Sequence, residues 1–377
     1  MRTFILNYKR TPIGNYLSTY GKEQAINLGI ENLNFLLNDT DISKELIECA
    51  YVGNVLSAGN GQNIAKQITF KCDLNIPSIT INNVCGSGMQ AIIEGVKSLK
   101  LGDSGCCIVG GLESMSNTPY LQSNIKKGNK YGNLELTDSM LVDGLTDAFS
   151  GKHMGELTEE LAFKENITRD VQDDYTVKSY IKSRKAWEEN KFKDEVINFK
   201  ITEDEEVNKI KDLNKISIAR PVFKKEGTIT AANASKLSDG SCFLILISEN
   251  FMIKHNLKPI AEILDYDLTA NNPNEFALAP VNSISKILNG QQLKHETIDS
   301  FEINEAFSIV PILVNKKLGI PFEKINRYGG AISLGHPLGC SGARIVSTLV
   351  TILKNENQKL GCASICNGGG GATSILI

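Results

Sequence analysis

The chain lacks the features of a disulfide scaffold, a zinc protein or a membrane protein. Its nine cysteines, Cys49, Cys72, Cys85, Cys106, Cys107, Cys242, Cys340, Cys362 and Cys366, form no CxxC pair and no regular framework. An odd number of scattered thiols in a chain of 377 residues fits reduced, intracellular cysteines better than disulfide pairing. Histidine is scarce. His153, His255, His295 and His336 stand far apart, and none forms a pair at metal-ligand spacing, so no metal is expected. No apolar run approaches the roughly 18 residues that a membrane span requires. The opening segment Met1–Leu6 is too short for a signal peptide and reads as a first strand. Lys plus Arg number 40 against 43 Asp plus Glu, and the formal net charge of −3 offers no general attraction to nucleic acid or to an anionic membrane. The expectation is a cytoplasmic protein without a membrane or nucleic-acid partner.

The chain does contain four short segments that suit one acyl-transfer site. They are Asn82-Asn83-Val84-Cys85-Gly86-Ser87-Gly88, Asn304-Glu305-Ala306-Phe307, Gly335-His336-Pro337 and Cys366-Asn367-Gly368-Gly369-Gly370-Gly371. Together they supply a thiol nucleophile, a polar amide, an imidazole and a second thiol. Cys85 follows the β-prone run Pro77–Val84 and precedes Met89, Ile92, Ile93, Val96 and Leu99, which recur at helical spacing. It is therefore placed at a strand-to-helix junction, where free amide groups and the helix dipole should lower a thiol pKa. Gly86 and Gly88 should permit a sharp turn and close approach of a ligand. Taken singly, each residue has a plainer reading. Cys85 and Cys366 could be inert core thiols, Asn304 a helix cap and His336 a loop histidine packed on glycines.

An internal duplication supports the functional reading. Cys85-Gly86-Ser87-Gly88 and Gly339-Cys340-Ser341-Gly342 each open a helical pattern, and each pattern leads to a Gly-Cys strand, at Gly105-Cys106 and Gly361-Cys362. Two copies of one unit in a chain too long for one ordinary core predict duplicated α/β halves with largely parallel sheets. Ligands of such sheets collect at loops beyond the strand ends, where Cys85 and Cys366 would lie. Between the copies the texture changes. Glu113–Lys130 is polar and turn-rich, a helix is predicted from Thr168 through Trp187, and the charged stretch 203–215 reads as a solvated loop. The predicted organisation is a first half at 1–114 plus about 239–257, an inserted loop domain at 115–238, and a second half at 258–377.

These motifs resemble those of the thiolases over essentially the whole chain. The matching segments are Lys9–Gly14, Gly53-Asn54-Val55, Asn83–Gly88, Gly110–Asn117, Asn304–Phe307, Gly329–Arg344 and the final glycine run. The resemblance implies a duplicated thiolase-like α/β fold in five αβαβα layers with an inserted loop domain. It implies that Cys85 is the acylated nucleophile, that His336 activates it, and that Cys366 is the acid/base at the substrate α-carbon. Asn304 would position a water in one oxyanion hole, and the backbone N–H groups of Cys85 and Gly368 would form the other. Leu145, His153, Met154, Phe223, Ser235, Ala306 and Phe307 would line the pantetheine and acyl channel.

The implied reaction is condensation of two acetyl-CoA to acetoacetyl-CoA and CoA, or its reverse, with no cofactor because the CoA thioesters are substrates. A homodimer or homotetramer is implied. The pair His153-Met154 and Phe307 resemble short-chain members; a degradative 3-ketoacyl-CoA thiolase is the alternative. A ketoacyl-carrier-protein synthase would place His or Asn at Cys366, and a silent scaffold would have little use for all four loops. The chain departs from the family at Ala232 and Lys236, where glycines are usual. Ala232 would be strained at φ > 0. Lys236 would narrow the groove or meet a CoA phosphate.

Overall fold

The computed structural model describes all 377 residues. A seven-stranded sheet is built from β1 (Thr3–Arg10), β2 (Cys49–Gly53), β3 (Ser78–Ile81), β4 (Cys106–Ser114), β5 (Ser238–Ser248) and β6 (Ala261–Ile263), in the order β3-β2-β4-β5-β1-β6, with Gly14–Asn15 paired to β5. A second sheet is built from β7 (Asp265–Ala270), β8 (Ser300–Ile303), β9 (Gly361–Asn367) and β10 (Gly371–Leu376), in the order β7-β10-β9-β8. The run β2-β4-β5-β1 in the first sheet matches β8-β9-β10-β7 in the second, so the duplication seen in two short motifs extends through both halves. β6 lies beyond residue 257 yet still pairs with β1, through Thr3 opposite Ile263.

The expectation of largely parallel sheets is corrected. β2 is parallel to β3 and β4, and β8 to β9. The β4–β5, β1–β5, β9–β10 and β7–β10 pairs are antiparallel. The reason is a hairpin. β9 returns directly into β10 through Gly368–Gly370, with Gly369 and Gly370 at φ of 84° and 87°, which glycine adopts without steric cost. In the first half the equivalent hairpin, between β4 and β5, is opened by residues 115–237.

Helices cover and separate the sheets. α1 (Ala25–Asn38) and α2 (Ile64–Lys71) pack on the outer face of the first sheet. α3 (Ser87–Leu101) lies between the sheets with the later helix Leu338–Asn355. α4 (Met154–Lys164) and α5 (Arg169–Glu188) belong to the insertion, and α6 (Ala279–Gly290) and α7 (Ile309–Leu318) cover the outer face of the second sheet. Numbering Leu338–Asn355 as α8, the layers read α1/α2, sheet, α3/α8, sheet, α6/α7, the five expected. Every residue of α8 from Leu338 to Leu353 is buried, as a helix enclosed by two sheets requires. No helix is long and apolar enough to cross a membrane.

The insertion is tied down by buried charge. Arg10 donates to Glu195 at 2.7 Å and to both oxygens of Asp204 at 2.7 and 3.0 Å, all with fully buried side chains. The solvated-loop reading of 203–215 therefore fails at Asp204 and at Glu206, which accepts from Tyr180 at 2.6 Å. A composition-based reading misses this because the partners lie far away in sequence. The predicted helix is present as α5, with Thr168 capping Val171 N–H.

The first turns of α3 and α8 approach to backbone contact. A Cβ built at Gly342 would stand 2.4 Å from the Met89 nitrogen, and one at Gly88 would stand 2.7 Å from the Gly339 oxygen. Real atoms do not approach so closely, so Gly342→Ala must push the helices apart. The expected cost is about 1–3 kcal/mol, as for other overpacked cores, visible as an earlier urea midpoint. A variant with wild-type stability would show that the two helices can separate freely.

Candidate active site

The β3–α3 turn presents Cys85. Asn82 Oδ1 accepts from Val84 N–H at 3.0 Å, and Ser87 Oγ links Asn83 N–H (2.8 Å) to the Val84 oxygen (2.6 Å). Val84 takes φ of 47°, an unusual conformation for a β-branched residue and one that costs on the order of 1–3 kcal/mol. Gly86 has ordinary helical angles, φ −76° and ψ −5°. The sharp turn expected of the glycines is thus made by Val84, while Gly88 serves the approach to α8.

His336 lies in the loop entering α8. Ser341 Oγ is 2.6 Å from His336 Nδ1 and donates to the Pro337 oxygen at 2.8 Å. A hydroxyl has one proton, so Ser341 accepts from His336 Nδ1–H and Nε2 is left as an acceptor. Asn304 Nδ2 lies 3.4 Å from that Nε2. Asn304 Oδ1 is buried and has no donor from the protein, so a water or ligand donor suits it. Burial, and then the charge of Arg344, push the His336 pKa down to about 3, so the imidazole is neutral.

Cys366 ends β9 and Gly368 follows in the hairpin turn. The N–H groups of Gly368 and of Cys85 itself both face the Cys85 sulfur. Burial raises the Cys366 pKa, and the neighbouring Cys85 raises it further. The expected depression of the Cys85 pKa is corrected. Loss of water pushes this thiol up to about 12, against the opposing help of the two N–H groups. At rest both the thiol and the imidazole are neutral.

These groups open on one narrow cavity with a free volume of about 60 Å³. Cys85, His336, Cys366, Gly368, Leu145, His153, Met154, Ser235, Ala306 and Phe307 all line it. Asn304 reaches it through His336. Phe223 does not line it: the ring stacks on His153 at 4.7 Å and meets Phe307 edge-on at 6.4 Å, one layer outward. His153 caps α4, with Nδ1 accepting from Gly155 N–H at 3.0 Å and Glu156 closing the capping box. Gly144, Phe276, Leu338 and Asn367 also line the cavity. Leu338 and Asn367 adjoin His336 and Cys366 in sequence, which was a usable signal. Gly144 had the same signal as the neighbour of Leu145; Phe276 had none, because only folding brings its segment here.

The loops are held from behind by Glu305. Its buried carboxylate accepts from Tyr175 (2.7 Å), Ser179 (2.9 Å), Asn326 (2.9 Å) and the Ile332 N–H (3.1 Å). Four donors fix the residue next to Asn304. At the unusual loop, Ala232 does not adopt positive φ. Lys236 neither enters the cavity nor reaches outward; its side chain folds back on its own loop.

Comparison with known proteins agrees with this arrangement. Sequence models described as "Thiolase, N-terminal domain" and "Thiolase, C-terminal domain" match residues 3–250 and 257–377. The chain is 42% identical to acetyl-CoA acetyltransferase of Saccharomyces cerevisiae, over 99% of this chain and 98% of that one. It is 43% identical to the mitochondrial acetyl-CoA acetyltransferase of Macaca fascicularis, over 99% of this chain and 89% of that one. Among solved structures, the Acat5 thiolase from Ascaris suum in complex with coenzyme A superposes with a TM-score of 0.96 at 39% identity, covering 100% of this chain and 99% of that one.

The raised thiol pKa has a testable consequence. A thiol with its pKa near 12 is protonated throughout the neutral range, and its thiolate fraction grows with every unit of pH. Alkylation of Cys85 by iodoacetamide, followed on the Cys85 peptide by mass spectrometry, should accelerate by about tenfold per unit between pH 7 and pH 10. A rate that levels off near pH 7 would instead reveal a preformed thiolate.

Proposed function

Because the chain belongs to the thiolase family, we propose that it is an acetyl-CoA C-acetyltransferase: it joins two acetyl-CoA into acetoacetyl-CoA and CoA, reversibly, through an acetyl group carried on Cys85. The observation that carries this reading is the convergence of two thiols, a neutral imidazole and a free backbone N–H on one cavity. His336 Nε2 takes the Cys85 proton as sulfur attacks the thioester carbonyl. The Cys85 and Gly368 N–H groups stabilise the tetrahedral oxyanion. As the carbon–sulfur bond to CoA breaks, Cys366 gives its proton to the departing sulfur, so Cys366 is left as a thiolate and His336 Nε2 keeps the proton taken from Cys85. The Cys366 thiolate so formed removes an α-proton from a second acetyl-CoA. A raised pKa makes it a strong base, yet the α-carbon is a weaker acid still, so that carbon must also be acidified. His336 and a water on Asn304 supply that effect by hydrogen bonding the thioester oxygen as negative charge gathers there. The carbanion attacks the acetyl carbon on Cys85, the carbon–sulfur bond breaks, His336 Nε2–H returns its proton to the Cys85 sulfur, and acetoacetyl-CoA is released.

The thioesters are substrates, and the scheme requires no cofactor or metal. The chain would work as a homodimer or homotetramer. The open edge of β3, where Ile79 is 54% exposed, supports pairing with another copy. Nine free cysteines support a reducing, cytoplasmic setting.

The two thiols can be separated by experiment. Cys85→Ser should cleave no acetoacetyl-CoA and gain no acetyl adduct from acetyl-CoA. Cys366→Ala should still acetylate at Cys85 yet fail to exchange acetyl-CoA α-protons with deuterated water. An acetyl adduct on Cys366 or Cys340, or undiminished exchange in Cys366→Ala, would reassign the roles.

Chain length follows from the cavity. Met154, Phe276 and Phe307 close it, with the Phe276 and Phe307 rings edge-on at 6.3 Å. Acetoacetyl-CoA should be cleaved with a kcat/KM at least about a hundredfold above that for 3-ketohexadecanoyl-CoA, since each excluded methylene is worth about 1–3 kcal/mol. Met154→Ala or Phe307→Ala should narrow the gap. Equal kcat/KM values in the wild type would favour the long-chain degradative reading.

A further inference from the structure

The loop Ala231–Leu237 holds a charge that the reaction scheme leaves unused. Lys236 Nζ lies 2.5 Å from the Ala231 oxygen, 3.0 Å from Ala232 and 2.8 Å from Ala234. No other donor reaches any of these three carbonyls. An ammonium has three N–H donors, and the loop offers three converging acceptors, so the match is complete. Without a cation there, three carbonyl dipoles would point at one another in a partly buried spot, an arrangement the backbone would relax by turning. Burial lowers the Lys236 pKa to about 8, against the pull of Glu206 and Glu305, so the amine is charged at neutral pH.

The same loop touches the site at two points. Ser235 lines the cavity and donates its N–H to the Ala306 oxygen at 3.0 Å. The backbone oxygen of Lys236 accepts from His336 N–H at 3.1 Å, and Ser238 Oγ accepts from that N–H at 3.2 Å. One residue thus braces the Ser235 segment with its side chain and His336 with its backbone.

We infer that Lys236 is a positioning residue, a built-in cation that shapes the Ala231–Ala234 carbonyl loop and so holds Ser235 where the pantetheine of a CoA thioester enters. It rests on the thiolase reading for the identity of the ligand. The charge sits on the loop and not in the cavity, so Lys236 acts through Ser235 and does not touch substrate. Its main effect is on binding, with a smaller effect on turnover through His336.

The test uses the full chain and two variants. Lys236→Ala empties the carbonyl cluster, and Lys236→Gln returns part of the donors. The KM for acetoacetyl-CoA should rise about tenfold in Lys236→Ala, as expected when buried acceptors lose their donors, with a smaller change in kcat. CoA affinity by calorimetry should fall in parallel, and Lys236→Gln should lie between. Ammonium chloride should restore Lys236→Ala towards wild type. Sodium chloride at equal ionic strength should do less, and tetramethylammonium chloride, which has no N–H, should do nothing. A Lys236→Ala protein with unchanged KM and CoA affinity would overturn the inference, as would a loss that no ammonium concentration repairs while Lys236→Gln falls equally. Should Lys236→Ala misfold, seen as an early thermal transition, Lys236→Gln decides: wild-type KM and CoA affinity would overturn the inference. A wild type that binds CoA but does not cleave acetoacetyl-CoA would strike the proposed reaction alone, and calorimetry would still decide on Lys236. A wild type that does not bind CoA would overturn both.

Discussion

The site depends on the contact between the first turns of α3 and α8. Gly88 and Gly342 bring the two helices to backbone contact, and Gly111 of β4 lies against the Gly339 oxygen so tightly that a Cβ would fall 2.0 Å from it. Cys85 lies just before α3 and His336 just before α8. When the helix starts touch, the thiol and the imidazole open on the same cavity. Glu113 reinforces the join, accepting from Val55 and Leu56 N–H in the first half and from Gly339 N–H in the second, each near 3.0 Å. Burial pushes that carboxylate up to about 7, a sign of how dry the seam is. Side chains larger than hydrogen at the contact would move Cys85 and His336 apart, and holding reacting groups in place can supply about 7–11 kcal/mol of a barrier.

The second constraint is the hairpin that each half contains. In the second half it is a bare glycine turn, and its N–H at Gly368 faces Cys85. In the first half the insertion opens it and returns at β5 with Ser235 and Lys236 just before the strand. Equivalent ends of two duplicated halves thus present a backbone N–H to Cys85 on one side and the Ser235 loop to the cavity on the other. Buried polar links fix the insertion to both halves: Arg10 to Glu195 and Asp204 on the first, Glu305 to Tyr175 and Ser179 on the second. Breaking one partner of such a pair leaves a dehydrated charge, so these links specify geometry as well as stability.

Electrostatics in this seam favours neutral groups. His336 is pushed down to about 3 and Cys85 up to about 12 by the same cause, removal of water. Neither charge exists until substrate provides a place for it. In the proposed reaction, a preformed thiolate would be stabilised in its resting state and gain less from the N–H groups of Cys85 and Gly368. A neutral pair concentrates stabilisation on the species that form during reaction.

Much of this was legible in the chain itself. Residue order and spacing determined the four loops, the duplication, the strand-to-helix junction at Cys85 and the α5 helix with its Thr168 cap, because these rest on local periodicity and on which residue types carry acyl chemistry. Six of the seven expected channel residues line the cavity, since short motifs carry their neighbours with them. Tertiary structure alone decided the rest. Antiparallel closure of each sheet came from a hairpin that the insertion hides in one copy. Phe223 moved one layer out because the ring prefers the face of His153. The fate of Lys236 turned on three carbonyls that converge only once the loop is folded. The pKa of Cys85 ran against its helix position because burial outweighs a helix dipole, and burial is a property of every segment packed around the sulfur, not of the few residues beside it in sequence.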